Sequence, residues 1–401
     1  MATLTVSAPA GPHTRSASRA RKGWGRLVSS LWSFVVLAIP LYVFPSGRPQ
    51  PADVGLALFL GVMLLATFGA LNSTERTMSR RLFEYVAWVA VVNVMWIQLA
   101  GYEATFLFST AFAVFNATVF VGFISFASVD TRHVVSITGK ACALALVGLG
   151  LLSVLRPGLS NGPRLLLTFN NPNQLAYYCL GALTVVYLAK RADALPRSLW
   201  VGATLASGFI IFQTYSRAAL GGYVLLCAIP FIRRPIYILL ACIPLVVVAG
   251  FAESAIDDDP LWQTRVQESG SRELDDYLQD RGIDRVIRNP QYLLLGAGEG
   301  RYERFHPFGL ELHSSIASIL FCYGLVGLAL ISRVAAVIAR RLPLSVVSYL
   351  APSLVYSLFH NGMRFRIFWL SLAVAAVLPR LLEAEVMNDS STESSRKSAS
   401  T

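Results

Sequence analysis

The chain has 401 residues, of which 55% are hydrophobic and 14% charged, and its mean hydropathy is +0.56. A soluble domain carries about 25% charged residues, so this composition excludes a soluble enzyme and indicates an integral membrane protein. The net charge of +11 is accounted for by basic residues in cytoplasmic loops, without invoking nucleic acid.

Residues 1–26 are rich in Ala, Ser and Arg and read as a disordered basic tail. Arg19, Arg21, Lys22 and Arg26 before an apolar run resemble a signal peptide. That run is long for a signal h-region and no A-x-A site follows, which predicts an uncleaved first membrane helix. Apolar runs close to the ~20 residues needed to cross a bilayer recur at 27–44, 52–71, 82–101, 104–127, 134–155, 174–190, 199–214, 217–232, 235–252, 313–331, 343–360 and 364–382. The expectation is an all-α membrane domain over 27–384 with about twelve transmembrane helices, followed by a Ser-rich, disordered tail at 385–401. With the N-terminus inside, every inner connection is basic: Arg76, Arg80 and Arg81; Arg132; Lys190, Arg191 and Arg197; Arg233 and Arg234; Arg333, Arg340 and Arg341; then Arg380, Arg396 and Lys397. Both termini are therefore expected in the cytoplasm. The five cysteines (Cys142, Cys179, Cys227, Cys242, Cys322) sit in apolar runs without CxxC or Cys/His spacing, and read as core residues rather than disulfides or metal ligands.

Two connections stand out. Only Tyr215-Ser216 separates the seventh and eighth runs, which are a re-entrant pair or two tilted helices. Residues 253–312 form a large polar outer loop between spans nine and ten, a length typical of a lid or binding element. It opens on Asp257, Asp258 and Asp259. A helix is predicted over Leu274–Arg288 with Arg281, Arg285 and Arg288 on one face, ended by Asn289-Pro290. Gly296-Ala297-Gly298-Glu299-Gly300 lacks the flanking strand and helix of a nucleotide fingerprint and reads as a flexible loop.

Arg156, Arg164, Arg217, His313, His360, Arg364 and Arg366 all fall at predicted outer ends, where the charge rule leaves few basic residues. Boundary ionisable groups are functional candidates, and guanidinium forks suit phosphate. Each has a plain alternative. His313 in Leu312-His313-Ser314-Ser315 is a proton-transfer group or a helix cap, and the following Gly324-Leu325-Val326-Gly327 is a motif or ordinary helix packing. Arg217 in Tyr215-Ser216-Arg217-Ala218-Ala219-Leu220 clamps an anion at a helix N-terminus or snorkels to headgroups. Thr168-Phe169-Asn170-Asn171-Pro172-Asn173-Gln174 binds sugar hydroxyls or is a polar turn with its N-cap at Asn173. His360-Asn361-Gly362-Met363-Arg364-Phe365-Arg366 is a ligand-binding hairpin or a tight turn on lipid phosphate.

Over residues 165–370 the chain resembles the bacterial O-antigen ligase and O-antigen (exopolysaccharide) polymerase superfamily. The matching pieces are Phe169-Asn170-Asn171-Pro172-Asn173-Gln174-Leu175-Ala176, Ser216-Arg217-Ala218-Ala219-Leu220, Asn289-Pro290 with Leu294-Leu295-Gly296-Ala297-Gly298, and His313-Ser314-x9-Gly324-x-x-Gly327. In the ligases the last pattern continues with threonine, where this chain has Leu328. The resemblance implies a GT-C-like bundle and a metal-independent, inverting membrane glycosyltransferase without a cofactor. It would move a glycan from a polyprenyl-pyrophosphate donor to a glycan or lipid-linked acceptor at the outer face of the bacterial cytoplasmic membrane. A polysaccharide flippase and a chain-length regulator would be its partners in the bilayer, and nucleic acid would not. His313 and Arg217 would be catalytic, with Arg217 on the pyrophosphate. Arg164, Asn171, Asn173, Arg285, Arg288, His360, Arg364 and Arg366 would bind substrate, and the outer loop would close as a lid. Polymerase is the first expectation and ligase, with a lipid A core as acceptor, the second. A flippase or transporter is the more distant alternative, because the mid-span positions carry little charge besides Lys140. No Asp-x-Asp stands at an outer span end, and Asp257–Asp259 leave metal use open.

Overall fold

The computed structural model describes residues 12–44, 48–67, 71–156, 159–161, 164–231, 278–279, 281–305 and 311–398. Across the described residues the fold is all-α apart from a hairpin of two-residue strands, β1 (Ser160–Asn161) against β2 (Arg164–Leu165). Its helices are α1 (Pro12–Ala38), α2 (Pro51–Thr67), α3 (Ser73–Ala100), α4 (Ala104–Ala127), α5 (Thr131–Leu155), α6 (Pro172–Arg191), α7 (Arg197–Gln213), α8 (Arg217–Ala228), α9 (Asp284–Arg288), α10 (Ser315–Ala339), α11 (Leu344–Phe359) and α12 (Arg366–Ser398). Every predicted span is helical except 235–252, which lies outside the described residues. By length and composition, α3, α4, α5 and α10 can each cross a membrane. The apolar parts of α1 and α8, and helices α2 and α11, are shorter. Helix α1 runs back to Pro12, and α12 on to Ser398, into both stretches read as disordered.

Polar side chains start several helices. Asn72 and Glu75 form a reciprocal capping box on α3, and the Asp130 carboxylate accepts from His133 N on α5. On α6 the cap is Asn171, whose side chain accepts from Asn173 N. The expected cap at Asn173 moves back two residues because Pro172, lacking an N–H, fits the first helical position. Helix α6 is buried without interruption from Leu175 to Ala189, and α5, α7, α8, α11 and α12 pack around it. The seventh and eighth predicted spans, α7 and α8, fold back on each other through Tyr215 (φ +55°), and Tyr223 Oη donates to Thr204 O at 3.1 Å.

The glycine-rich segment is a buried structural element, not the flexible loop expected from sequence: Gly296 to Gly300 are all buried. Helix α10 breaks at Gly324 (φ +69°), a backbone region that glycine enters without penalty. The break frees carbonyls that the segment then satisfies: Ala297 N donates to Phe321 O at 2.8 Å and Gly298 N to Cys322 O at 2.9 Å. Trp88 Nε1 takes Tyr323 O at 2.8 Å, while Trp96 Nε1 donates to Gly296 O at 2.9 Å. Irregular backbone at this depth is tolerated because protein surrounds and satisfies it.

The predicted helix over Leu274–Arg288 is also corrected where it is described. Residues 281–283 are a turn and helix resumes only at Asp284. Gly282 (φ +65°) breaks it, so Arg281 is set apart from Arg285 and Arg288.

Candidate functional site

Two neighbouring cavities open where α6, α8, α10, α11 and α12 begin or end, and they share Asn173 and His360 as a common wall. The first, about 360 Å³, is strongly basic: Arg164, Arg217 and Arg281 line it with Ser216 and Tyr215. Arg164 is oriented by Nε donating to Thr214 O at 2.9 Å and Nη2 to Asn173 Oδ1 at 3.0 Å. Arg281 comes from the large loop and its guanidinium donates to Phe359 O, while its carbonyl accepts from His313 N at 3.0 Å. Arg217 is exposed at the first position of α8, where unpaired backbone N–H groups favour an anion.

The second cavity, about 410 Å³, mixes amides, aromatics and charge. Asn171, Gln174, Asn361, Phe112, His313 and Glu311 are among its lining. Ser315 fastens the start of α10 to the turn between α11 and α12, its Oγ accepting from Met363 N at 3.1 Å. The His360 ring stacks on Tyr356 at 4.6 Å, which stacks on Tyr177 at 4.5 Å, and Tyr356 Oη donates to Asn173 O at 3.1 Å. Burial, then the charges of Arg281, His313 and Arg164, depress the His360 pKa to about 3. His313 is exposed to the cavity, yet surrounding protein atoms, then Arg281, lower its pKa as well. Both imidazoles are therefore uncharged at neutral pH.

The remaining sequence candidates divide. Arg364 and Arg366 do line the second cavity, but both are already neutralised. Arg364 pairs with Glu299 at 3.0 Å and with Glu311. Arg366 pairs with Asp53 at 2.5 Å and donates to Ile39 O at 2.8 Å, which ties α12 to the ends of α1 and α2. Neither presents the free charge expected of an assistant phosphate clamp. Arg285 lines neither cavity: it is 1% exposed, its guanidinium lies 5.8 Å from the Tyr302 ring centroid, and that guanidinium makes no hydrogen bond among the described residues. Burial lowers its pKa ahead of the opposing effect of Asp284. Arg288 points outward, pairing with Asp284 at 3.4 Å with its side chain 66% exposed. Arg156, at the end of α5, is exposed and lines neither cavity.

Sequence reading missed the acids and one cation. Glu299 sat in a segment dismissed as a loop, and Glu311 is two residues from the histidine motif. Arg281 was assigned to a helical face that Gly282 breaks. No group of metal-binding residues occurs among the described residues. No protein-family model matches the chain, and no curated protein matches it.

Proposed function

We propose that this chain is a membrane glycosyltransferase of the O-antigen ligase and polymerase superfamily. It polymerises a polyprenyl-pyrophosphate-linked glycan at the outer face of the bacterial cytoplasmic membrane, within a GT-C-like bundle of about twelve spans. The observation that carries this reading is the pairing of cavities across Asn173 and His360. An arginine-lined one suits a diphosphate, and an amide- and aromatic-lined one suits a hydroxyl-rich glycan. The anomeric carbon would lie between them. Outside the cytoplasm no nucleotide sugar is available, so the donor must bring its own leaving group. Arg217, Arg164 and Arg281 would neutralise the departing diphosphate as charge develops, and His313 would orient the acceptor hydroxyl. Leu328, standing where the ligases have threonine, favours polymerase over ligase.

The test is glycan transfer by the reconstituted protein, given a polyprenyl-pyrophosphate oligosaccharide in the presence of EDTA. Wild type should lengthen the lipid-linked glycan, and Arg217→Ala should lose about 10²–10³-fold in rate, as removal of a transition-state donor does. Transfer only when a lipid A core is added would make the enzyme a ligase. Lipid movement across the bilayer without transfer would make the protein a flippase.

A further inference from the structure

We propose that Glu311 is the general base of this site, its carboxylate held by Arg364 so that it can take the proton of the acceptor hydroxyl. The inference rests on the glycosyl-transfer reading above and assigns that reaction a residue outside the motifs.

The argument begins with a buried anchor. Glu299 is 7% exposed, and its backbone is fixed on both sides: Glu299 N donates to Asn93 Oδ1 at 3.0 Å, and Ser109 Oγ donates to Glu299 O at 3.0 Å. One of its carboxylate oxygens accepts from Tyr323 Oη at 2.6 Å, and the other meets Arg364 Nη2 at 3.0 Å. Arg364 uses its second terminal nitrogen, Nη1, on Glu311 Oε2. The guanidinium thus bridges a rigid carboxylate in the protein interior to an accessible one in the cavity. One guanidinium between two carboxylates leaves this cluster with one net negative charge, and Glu311 is its member open to the space where the acceptor is expected. Only Oε2 is engaged; Glu311 Oε1 has no hydrogen-bond partner among the described residues, and the side chain is 46% exposed.

The competing bases are less suitable. Asp53, also on this cavity, is held by Arg366 and by Gln50 N at 2.7 Å. The two imidazoles are disfavoured as proton acceptors first by burial and then by the charge of Arg281 beside them. Glu311 lies in the second cavity and is absent from the arginine-lined one. That separation is what an inverting displacement requires, with the base on one side of the anomeric carbon and the leaving group on the other. In the step, the acceptor O–H bond breaks and its proton passes to the Glu311 carboxylate. The acceptor oxygen forms a bond to the anomeric carbon. The bond from that carbon to the diphosphate oxygen breaks, and its electron pair leaves on the diphosphate. Proton release to water restores the carboxylate.

Glu311→Gln keeps an oxygen for Arg364 but cannot accept the proton. It should lose about 10²–10⁴-fold in transfer rate, the range of general-base contributions, while affinity for polyprenyl diphosphate and thermal stability stay at wild-type level. Glu311→Ala should lose as much and regain transfer on addition of formate, which a merely structural role would not permit. Transfer by Glu311→Gln at the wild-type rate would overturn the assignment, as would an inactive Glu311→Ala that still binds polyprenyl diphosphate but gains nothing from formate. If wild type itself transfers no glycan, the functional reading fails and this assignment fails with it, a result distinct from active wild type with an active Gln variant.

Discussion

At the residue scale, His360 shows how the basic cavity acts on its own wall. Its pKa falls from 6.5 to about 3, so the folded protein resists the proton that the unfolded chain accepts. The associated stability is fully present above about pH 6.5 and is lost progressively as pH falls toward 3. Thermal midpoints measured from pH 7 down to 4.5 should therefore drop in wild type, and drop less steeply in His360→Gln, which has no imidazole to protonate. Equal slopes would place the acid sensitivity on other groups. The same accounting separates arginines that look alike in sequence. Arg366 and Asp53 are nearly buried, with 10% and 8% side-chain exposure, and removing one partner of such a pair leaves an uncompensated charge. Asp53→Asn should destabilise the protein by about 3–5 kcal/mol. A double variant, Asp53→Leu with Arg366→Met, should recover much of that loss in denaturation midpoint. A single variant as stable as wild type would mean that the pair is not a structural tie.

At the element scale, the contact between the broken helix α10 and the segment around Gly296 gives Gly324, the first glycine of the Gly-x-x-Gly pattern, a physical reason. A Cβ at Gly324 would strike the Leu294 carbonyl, and one at Gly296 would strike the Cys322 carbonyl. Gly324→Ala should cost about 1–3 kcal/mol from its left-handed backbone alone, with the steric conflict added, and should lower the thermal midpoint sharply. Gly148, in α5 with open space around it, is the control: alanine there should be neutral or stabilising by up to about 1 kcal/mol. Comparable losses at both positions would remove the special role of the break. The sequence made the long apolar helices legible because hydropathy alone defines them, and it exposed Arg217, Asn173 and His360 because polar residues at apolar boundaries are conspicuous. The glycine-rich segment was not legible. Its burial depends on carbonyls released by a break inside a helix that comes later in the chain, at Phe321 and Cys322, and no local pattern encodes that pairing. Arg281 and Arg285 were exchanged in role for a similar reason: one left-handed glycine between them redirects the chain.

At the scale of the whole molecule, the two ends of the bundle differ in chemistry. Arg380 reaches across to Glu75 and Thr131 at one end, the end that also carries Arg132 at the start of α5. The opposite end holds both cavities, and there Arg301 donates to Ala100 O beside the short connection that contains Tyr102. If the basic end is cytoplasmic, as the charge rule directs, both cavities open outside the cytoplasm. Donors reach that side already attached to a lipid carrier. The orientation can be read directly with a membrane-impermeant maleimide on intact spheroplasts, in a background with Cys227→Ala and Cys242→Ala, since the remaining Cys142, Cys179 and Cys322 are buried. Cysteine at Tyr102, which is 69% exposed, should label without permeabilisation, and cysteine at the exposed Arg132 should label only after it. The reverse pattern would turn the arginine cluster toward the cytoplasm. A nucleotide-activated donor would then be as accessible as a lipid-linked one, and the case for a polyprenyl diphosphate would lose its geometric basis.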